Sequence, residues 1–254
     1  MPARPERSRR ACPEPRRRVI ITGATGGLGL ELAAAFARHG WRLGLLGHSD
    51  RPALDALAAS LGTATAAACC DVRDAPDVER AFAQLTDELG GLDVLVNAAG
   101  TARPGLIVNL APEDFDEEIA VNLTGAFHCM RAAVRRMLPR RDGHIINIGS
   151  YRGAHGLSGG CGYSASKAGL VGLTLSAARE YGPKNIRCNL VLPGFLPTPM
   201  TAPLKPNHVA RAIADNVLGR ASDFDEICEF IVRLAVTRHV SAQVFNLDSR
   251  PARL

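Results

Sequence analysis

Aromatic residues and long apolar runs are both scarce in this chain. Aromatic side chains make up 5% of the 254 residues, and the longest apolar runs, such as Leu92 to Val96, have only the length of a strand. A membrane-spanning helix needs about 18 or more apolar residues in succession, so the sequence predicts no membrane span. The hydrophobic share of 46% and the charged share of 22% are those of a globular protein and exclude collagen, a coiled coil and general disorder.

Positive charge is in excess at only one end of the chain. The formal net charge is +5, and residues 1 to 18, with seven arginines and two glutamates, account for all of it. A basic, proline-containing segment without apolar periodicity is expected to be disordered, so we expect an extension over residues 1–17 and a body over residues 18–254. The extension lacks the apolar core of a signal peptide, and a transit peptide, a nucleic-acid arm and a silent extension stay open. The neutral body predicts no nucleic-acid partner.

Cysteines occur without a disulfide or metal-binding pattern. The sequence has no C-x-x-C pair and no histidine at metal-ligand spacing from a cysteine. The seven cysteines are Cys12, Cys69, Cys70, Cys129, Cys161, Cys188 and Cys228. An odd, scattered set indicates reduced thiols, so we expect a cytoplasmic protein without a metal site.

Strand-like and helix-like segments alternate from Arg18 onward. Short apolar runs of strand length lie at residues 19–22, 41–46, 65–70, 92–96, 144–148, 186–192 and 244–247. Helical stretches lie between them, including residues 52–61, 75–89, 112–137, 163–181 and 223–235. This alternation predicts a single α/β domain with a doubly wound parallel sheet and a ligand at the carboxyl ends of the strands. The proline-rich residues 195–220 are expected to form a lid.

A glycine-rich turn follows the first predicted strand. Glycine permits positive φ and a close approach of the backbone to a pyrophosphate, and the helix that follows presents free N–H groups. The candidate cofactor-binding residues of this turn are Gly23, Thr25, Gly27, Leu28 and Gly29. Its place between a strand and a helix favours dinucleotide binding over a simple tight turn.

Tyr163 and Lys167 are four residues apart, so on a helix both side chains lie on the same face. A fixed ammonium nearby favours the phenolate, which would bring the tyrosine pKa from about 10 toward the working range of an acid or base. Taken alone, such a pair is more often found on an exposed helical surface.

Together these motifs resemble those of the short-chain dehydrogenase/reductase family, closest in type to β-ketoacyl-[acyl-carrier-protein] reductases. The resemblance covers residues 18 to 248 and implies a Rossmann-type fold. It assigns adenine contacts to Asp71 and Val72, and a catalytic asparagine and serine to Asn122 and Ser150. Further cofactor contacts are implied for Asn97, Ala98, Ala99, Gly100, Pro193, Gly194, Leu196 and Thr198. Ala98 departs from the family's N-N-A-G, and the C-terminal residues depart from its V-D-G-G.

The resemblance also implies a mechanism. A hydride passes from a nicotinamide cofactor to a carbonyl carbon, while Ser150 and Tyr163 stabilise the charge on oxygen and Tyr163 delivers the proton. Lys167 would hold the nicotinamide ribose and, with Asn122 and a water, resupply that proton.

The end of the second predicted strand bears on the choice of cofactor. In this family an acidic residue there accepts both ribose hydroxyls of NAD, whereas small, polar or basic residues admit the 2′-phosphate of NADP. Gly47 occupies that position, followed by His48, Ser49 and Arg51 as candidate phosphate ligands. Gly26, however, stands where many NADP enzymes have an arginine. The expected cofactor is NADPH.

Three functions stay open. The favoured one is an NADPH-dependent ketoreductase of 3-oxoacyl (acyl-carrier-protein) or polyketide type; the others are a dehydrogenase of small or polycyclic alcohols and a catalytically silent nucleotide-binding protein. Residues 150–161 and 195–217 should line the substrate pocket. The resemblance implies a homotetramer paired through the helices of residues 112–137 and 163–181. A basic cluster either docks a carrier protein near the site or stabilises two helix ends: Arg135, Arg136, Arg140, Arg141, Arg179 and Lys184.

Overall fold

Seven parallel strands form one sheet in the computed structural model, which describes residues 17–204 and 206–250. The strands are β1 (Arg18–Thr22), β2 (Arg42–Gly47), β3 (Thr65–Cys69), β4 (Val94–Asn97), β5 (Gly143–Ile148), β6 (Ile186–Leu192) and β7 (Val244–Asn246). Their order in the sheet is β3-β2-β1-β4-β5-β6-β7, so the direction of winding reverses between β1 and β4. The predicted doubly wound Rossmann-type sheet is confirmed. The expected N-terminal extension lies, apart from Arg17, outside the described residues.

Helices cover both faces of the sheet. They are α1 (Gly27–Arg38), α2 (Arg51–Ser60), α3 (Ala75–Leu89), α4 (Pro112–Ile119), α5 (Gly125–Met137), α6 (Tyr151–His155), α7 (Cys161–Tyr181), α8 (Pro206–Ala214) and α9 (Phe224–Ala235). Successive strand residues face opposite sides, so Val19 and Ile21 pack under α1, α2 and α9, while Ile20 packs under α3 and α5. Over the described residues, no helix has the length and apolar character that a bilayer span requires.

Three helical segments differ from their sequence-based predictions. The predicted helix of residues 112–137 is interrupted by a π-helical turn at Ala120–Thr124, between α4 and α5. Residues expected to form a loop after Ser150 include the short helix α6, for which Ser150 is the N-cap. The expected lid includes α8. These features depend on contacts with other segments, which periodicity along one segment does not report.

The basic cluster lies at the edge of the sheet opposite the carboxyl ends of the strands. Helices α5 and α7 begin near the carboxyl ends and run back to the amino ends, where β5 and β6 begin. Arg140 contacts Asp93, just before β4, at 2.8 Å, and Arg136 contacts Glu79 at 2.9 Å. The expectation that these arginines lie near the mouth of their own chain's site is therefore wrong, because each crossover helix carries its C-terminus away from the ligand edge.

Asp93 joins the amino ends of β1 and β4. Its Oδ2 accepts the Arg18 backbone N–H at 2.9 Å and Nε at 2.8 Å, while Oδ1 accepts from Arg18 and Arg140. Burial alone would raise the pKa of Asp93, but these hydrogen bonds outweigh it and hold the pKa below its usual range. The ionised carboxylate therefore stabilises the fold.

We expect Asp93→Asn to lower the free energy of unfolding by about 1–3 kcal/mol, because two guanidinium groups lose a carboxylate acceptor. Because the folded-state pKa of Asp93 is depressed, the difference in unfolding free energy between wild type and variant should have its full size above about pH 4. It should disappear as the pH falls through that pKa. Denaturant titrations at several pH values measure this difference. Asp225→Asn is the control, since that carboxylate is 80% exposed in its pair with Arg38; equal effects of the two variants would contradict the assignment.

Candidate active site

The glycine turn packs directly against the end of β4. Gly23 has φ +65°, and a Cβ at this position would lie 2.7 Å from the Cα of Ala99. The Thr22 hydroxyl accepts the N–H groups of Ala98 and Ala99, each at 3.1 Å. These two hydrogen bonds hold the turn in which Ala98 replaces the second asparagine of the family's N-N-A-G motif. The carboxyl ends of β1 and β4 thus form one continuous surface at the place where the direction of winding reverses.

Helix α1 begins at Gly27 without a side-chain cap, which leaves first-turn N–H groups for a phosphate. A Cβ at Gly29 would overlap the Gly23 carbonyl, and one at Gly27 would lie 2.9 Å from the Thr198 side chain. The segment after β6 therefore closes over the glycine turn. Gly194, with φ +83°, packs against Asp248 near the C-terminus.

At the adenine end, exposed polar side chains follow β2. His48 and Ser49 are exposed directly after Gly47. Asp50 is not free for a ribose, because its carboxylate caps α2 by accepting the Ala53 N–H at 3.0 Å. Arg51 does not extend toward this position as a phosphate ligand, since its Nε contacts Asp55 at 2.8 Å.

Asp71 and Val72 follow β3 beside these residues. The Asp71 carboxylate is hydrogen-bonded by Arg73, which, with a smaller contribution from His48, lowers the pKa of Asp71 to about 2. Val72 is buried against Gly125, where a Cβ would lie 2.6 Å from a Val72 methyl group. A charged acceptor and an apolar wall therefore stand at the place predicted for the adenine.

Asn97 takes a role that the sequence did not predict. Its side chain is 5% exposed and donates to Asn147 Oδ1 at 2.8 Å, and Asn147 donates to Thr174 at 2.9 Å. This side chain supports the sheet from within, so a cofactor would meet only the backbone of Asn97.

The four predicted catalytic residues converge at the carboxyl edge. Ser150 follows β5, Tyr163 and Lys167 lie on α7, and Asn122 lies in the π-helical turn. Lys167 Nζ donates to the Ile148 carbonyl at 2.8 Å and lies 5.7 Å from the centroid of the Tyr163 ring.

Asn122 is held from three directions. Its Oδ1 accepts the Thr101 N–H at 2.8 Å, and its Nδ2 donates to the Thr101 carbonyl at 2.9 Å and to Ser166 Oγ at 3.0 Å. A Cβ at Gly100 would lie 3.2 Å from Asn122 Oδ1 and 3.8 Å from Lys167 Nζ. The π-helical turn, a backbone form often found at functional sites, carries Asn122 to this junction.

Desolvation is the largest influence on the pKa values of the two ionisable catalytic residues, Tyr163 and Lys167. It raises the pKa of Tyr163, against the opposing effects of the Ser150 hydrogen bond and the Arg152 cation, and it lowers the pKa of Lys167 to about 8. The expected lowering of the tyrosine pKa by Lys167 stays a prediction, and desolvation is the largest influence on Tyr163. Tyr163 is therefore protonated at neutral pH and able to donate a proton.

Two further charged residues lie at the site: Arg152, which belongs to the predicted pocket-lining residues 150–161, and Glu118, which the sequence did not single out. Glu118 is 1% exposed, accepts the Arg103 N–H at 2.8 Å, and packs against Gly162 at the start of α7. Burial raises the pKa of Glu118, and its charge adds to the raised pKa of Tyr163. Arg152 lies on α6 next to Ser150. An isolated glutamate without a motif carries no sequence signal for the placement of Glu118.

The described residues contain no disulfide and no cluster of metal ligands. The six described cysteines, Cys69, Cys70, Cys129, Cys161, Cys188 and Cys228, are unpaired. Across residues 17–204 and 206–250, no group of three or more histidine, cysteine or acidic side chains is placed to hold a metal ion.

A parallel sheet with a glycine turn at its switch point and a Ser-Tyr-Lys set beside it defines a nicotinamide-dependent oxidoreductase. The family profile described as "short chain dehydrogenase" matches residues 17–208, and this chain belongs to the short-chain dehydrogenase/reductase family. It is an NAD(P)-dependent oxidoreductase similar to 3-oxoacyl-[acyl-carrier-protein] reductases.

Relatives of that name are similar over most of the chain. The human 3-oxoacyl-[acyl-carrier-protein] reductase is 38% identical over 228 residues, covering 90% of this chain and 94% of that protein. The corresponding FabG reductase of Thermotoga maritima is 35% identical over 90% of this chain and 95% of its own length. The crystal structure of a variant of actinorhodin polyketide ketoreductase with NADPH superposes with a TM-score of 0.84 at 31% identity, covering 92% of this chain and 96% of that one.

We expect Tyr163→Phe to lower kcat by about 10²- to 10⁴-fold, because it removes the hydroxyl that donates the proton. Fold and cofactor affinity should be retained, which circular dichroism and fluorescence titration of the reduced cofactor measure. Lys167→Ala should weaken both turnover and cofactor binding. Wild-type turnover in Tyr163→Phe would contradict these roles.

Proposed function

We propose that this protein uses NADPH to reduce a ketone to a secondary alcohol, and that its substrate is a 3-oxoacyl or polyketide-type thioester. The observation that carries the proposal is the convergence of Ser150, Tyr163, Lys167 and Asn122 beside the glycine turn. This arrangement presents two hydroxyl donors to one carbonyl oxygen and a lysine behind them.

Each residue has a definite task in this reaction. When bound, the nicotinamide cofactor supplies the hydride to the carbonyl carbon. Ser150 and Tyr163 donate hydrogen bonds to the oxygen as negative charge develops, and Tyr163, a protonated phenol whose pKa is raised above its ordinary value, transfers its proton. Lys167 would hold the ribose and, with Asn122 and a water, return a proton to Tyr163.

The preference for NADPH rests on the end of β2. Gly47 brings no carboxylate to the ribose, the nearby Asp50 caps α2, and the exposed Ser49 and His48, whose Nε2 lies 3.7 Å from Asp71 Oδ2, are the candidates for contact with a 2′-phosphate. The relative solved with NADPH supports this choice. NAD-dependent oxidation of a small or polycyclic alcohol is the alternative, and a silent binding protein is disfavoured because the four catalytic residues are all present.

We expect NADPH to give at least about a tenfold higher kcat/KM than NADH, since the 2′-phosphate gains charge-assisted contacts worth one to several kcal/mol. Absorbance of the reduced nicotinamide with a panel of ketones measures both values. Gly47→Asp should reverse the preference, and Gly47→Ala is the matched control, because a Cβ here meets Leu54 only at 3.4 Å or beyond. A wild-type preference for NADH would refute the predicted use of NADPH. Cofactor binding without oxidation of the cofactor would refute the proposed enzymatic activity.

We propose a homotetramer paired through α5 and α7. Phe127 on α5 is 45% exposed, and a Cβ at Gly172 on α7 would meet no atom within 4 Å, so both helices present faces without a partner inside the chain. A two-fold axis across these helices pairs them antiparallel. The amino edge of one subunit, which carries the basic cluster, would then lie beside the carboxyl edge of its partner.

This arrangement makes Arg141 and Lys184 the candidates for docking an acidic carrier protein. Both are exposed, whereas Arg136 and Arg140 are occupied by Glu79 and Asp93. We expect the double variant Arg141→Glu/Lys184→Glu to lower kcat/KM for a carrier-bound 3-oxoacyl substrate at low salt. The kcat/KM for a small thioester mimic should be unchanged.

Light scattering is the control for assembly. A wild-type monomer at micromolar concentration would contradict the tetramer and this docking site with it. A carrier advantage that survives both high salt and the double charge reversal would exclude docking through these two residues.

A further inference from the structure

Arg152 presents a cation at the candidate site without a protein acceptor. It lies two residues after Ser150, and its backbone N–H donates to the Ser150 hydroxyl at 3.2 Å. The side chain is partly buried, and burial lowers the pKa of Arg152. Within the part of the chain that the structure describes, no carboxylate or carbonyl accepts a hydrogen bond from its guanidinium. A substrate oxygen that replaces water at this guanidinium would gain a charge-assisted hydrogen bond.

The helix that carries Arg152 is firmly placed. Gly153 lies so close to α7 that a Cβ would be 2.7 Å from the backbone of Lys167. On the other side, the Tyr151 ring stacks on the His155 ring with centroids 3.8 Å apart, and the Arg250 guanidinium lies 4.0 Å above Tyr151. Helix α6 is therefore held between α7 and the C-terminal segment.

The charges around Arg152 leave it uncompensated. The groups that interact with it electrostatically are Tyr163 and Arg250. Arg250 is paired with Asp248, whose side chain is 1% exposed, so that pair carries no net charge. One positive charge remains, next to the hydroxyls that would hold the ketone.

We propose that Arg152 binds the acyl oxygen of the substrate, which is the thioester carbonyl or carboxylate oxygen one methylene beyond the ketone that is reduced. This inference rests on the proposed ketone reduction and defines its substrate class as 3-oxoacyl compounds. A ketone between Ser150 and Tyr163 leaves its acyl group beside α6, where the guanidinium supplies planar, charged donors for that oxygen. Arg152 is thus a specificity-determining residue.

Matched substrates test this role. One is the acetoacetyl thioester of a short thiol, and the other is the thioether ketone in which a methylene replaces the thioester carbonyl. The ratio of their kcat/KM values within one enzyme cancels any effect of Arg152 on the Tyr163 pKa, because both ketones use the same proton donor. Acetoacetate is the third substrate, and it separates a carboxylate from a thioester carbonyl.

We expect Arg152→Gln to lower the thioester-to-ketone ratio by about 10- to 100-fold, the effect of losing a charged hydrogen bond. In Arg152→Lys, part of the wild-type thioester-to-ketone ratio should be retained. Arg233→Gln, an exposed arginine at the far end of α9, should leave the ratio unchanged. A larger loss for acetoacetate identifies a carboxylate as the ligand, and a larger loss for the thioester identifies its carbonyl; either supports the proposal.

If Arg152→Gln leaves the ratios of both the thioester and acetoacetate to the thioether ketone unchanged, the role of Arg152 is overturned while ketone reduction stays intact. A folded wild-type protein that reduces none of the three substrates would overturn the proposed function and this inference together. Thermal melting of each variant confirms that the comparison is made between folded proteins.

Discussion

The side-chain amide of Asn122 joins the three segments that form the candidate site. It satisfies both backbone groups of Thr101, after β4, and donates to Ser166 on α7 from its own π-helical turn. Thr101 and the π-helical turn both belong to the connection after β4, whereas α7 follows β5. The amide therefore ties the connection after β4 to the helix with Tyr163 and Lys167.

Burial then determines the chemistry that these side chains can perform. Lys167 is buried and Tyr163 partly buried, and desolvation favours the neutral form of each. A neutral phenol beside a lysine of lowered pKa suits the donation of a proton. Nearby charges adjust this balance in opposite directions, since Arg152 lowers the tyrosine pKa and Glu118 raises it.

The direction of the crossover helices separates two surfaces of the molecule. Reactive groups collect where strands end, and the cations at the ends of α5 and α7 collect where strands begin. Several of those cations hold the amino edge together through Asp93 and Glu79. These cations can assist in binding a carrier protein at the active site only if that site belongs to a second subunit. Assembly is therefore part of the proposed function.

The sequence by itself determined the order of strands and helices, because apolar periodicity and glycine turns are local. Motif spacing likewise indicated which residues gather at the carboxyl edge, since parallel strands place their ends together. Local pattern did not reveal the π-helical turn around Asn122 or the helix after Ser150, because both depend on backbone partners far along the chain. It also could not show that Asn97 supports the sheet or that Arg152 lacks an acceptor. Those outcomes were decided only by the tertiary structure, because a polar side chain's role depends on which distant groups lie within hydrogen-bond distance of it.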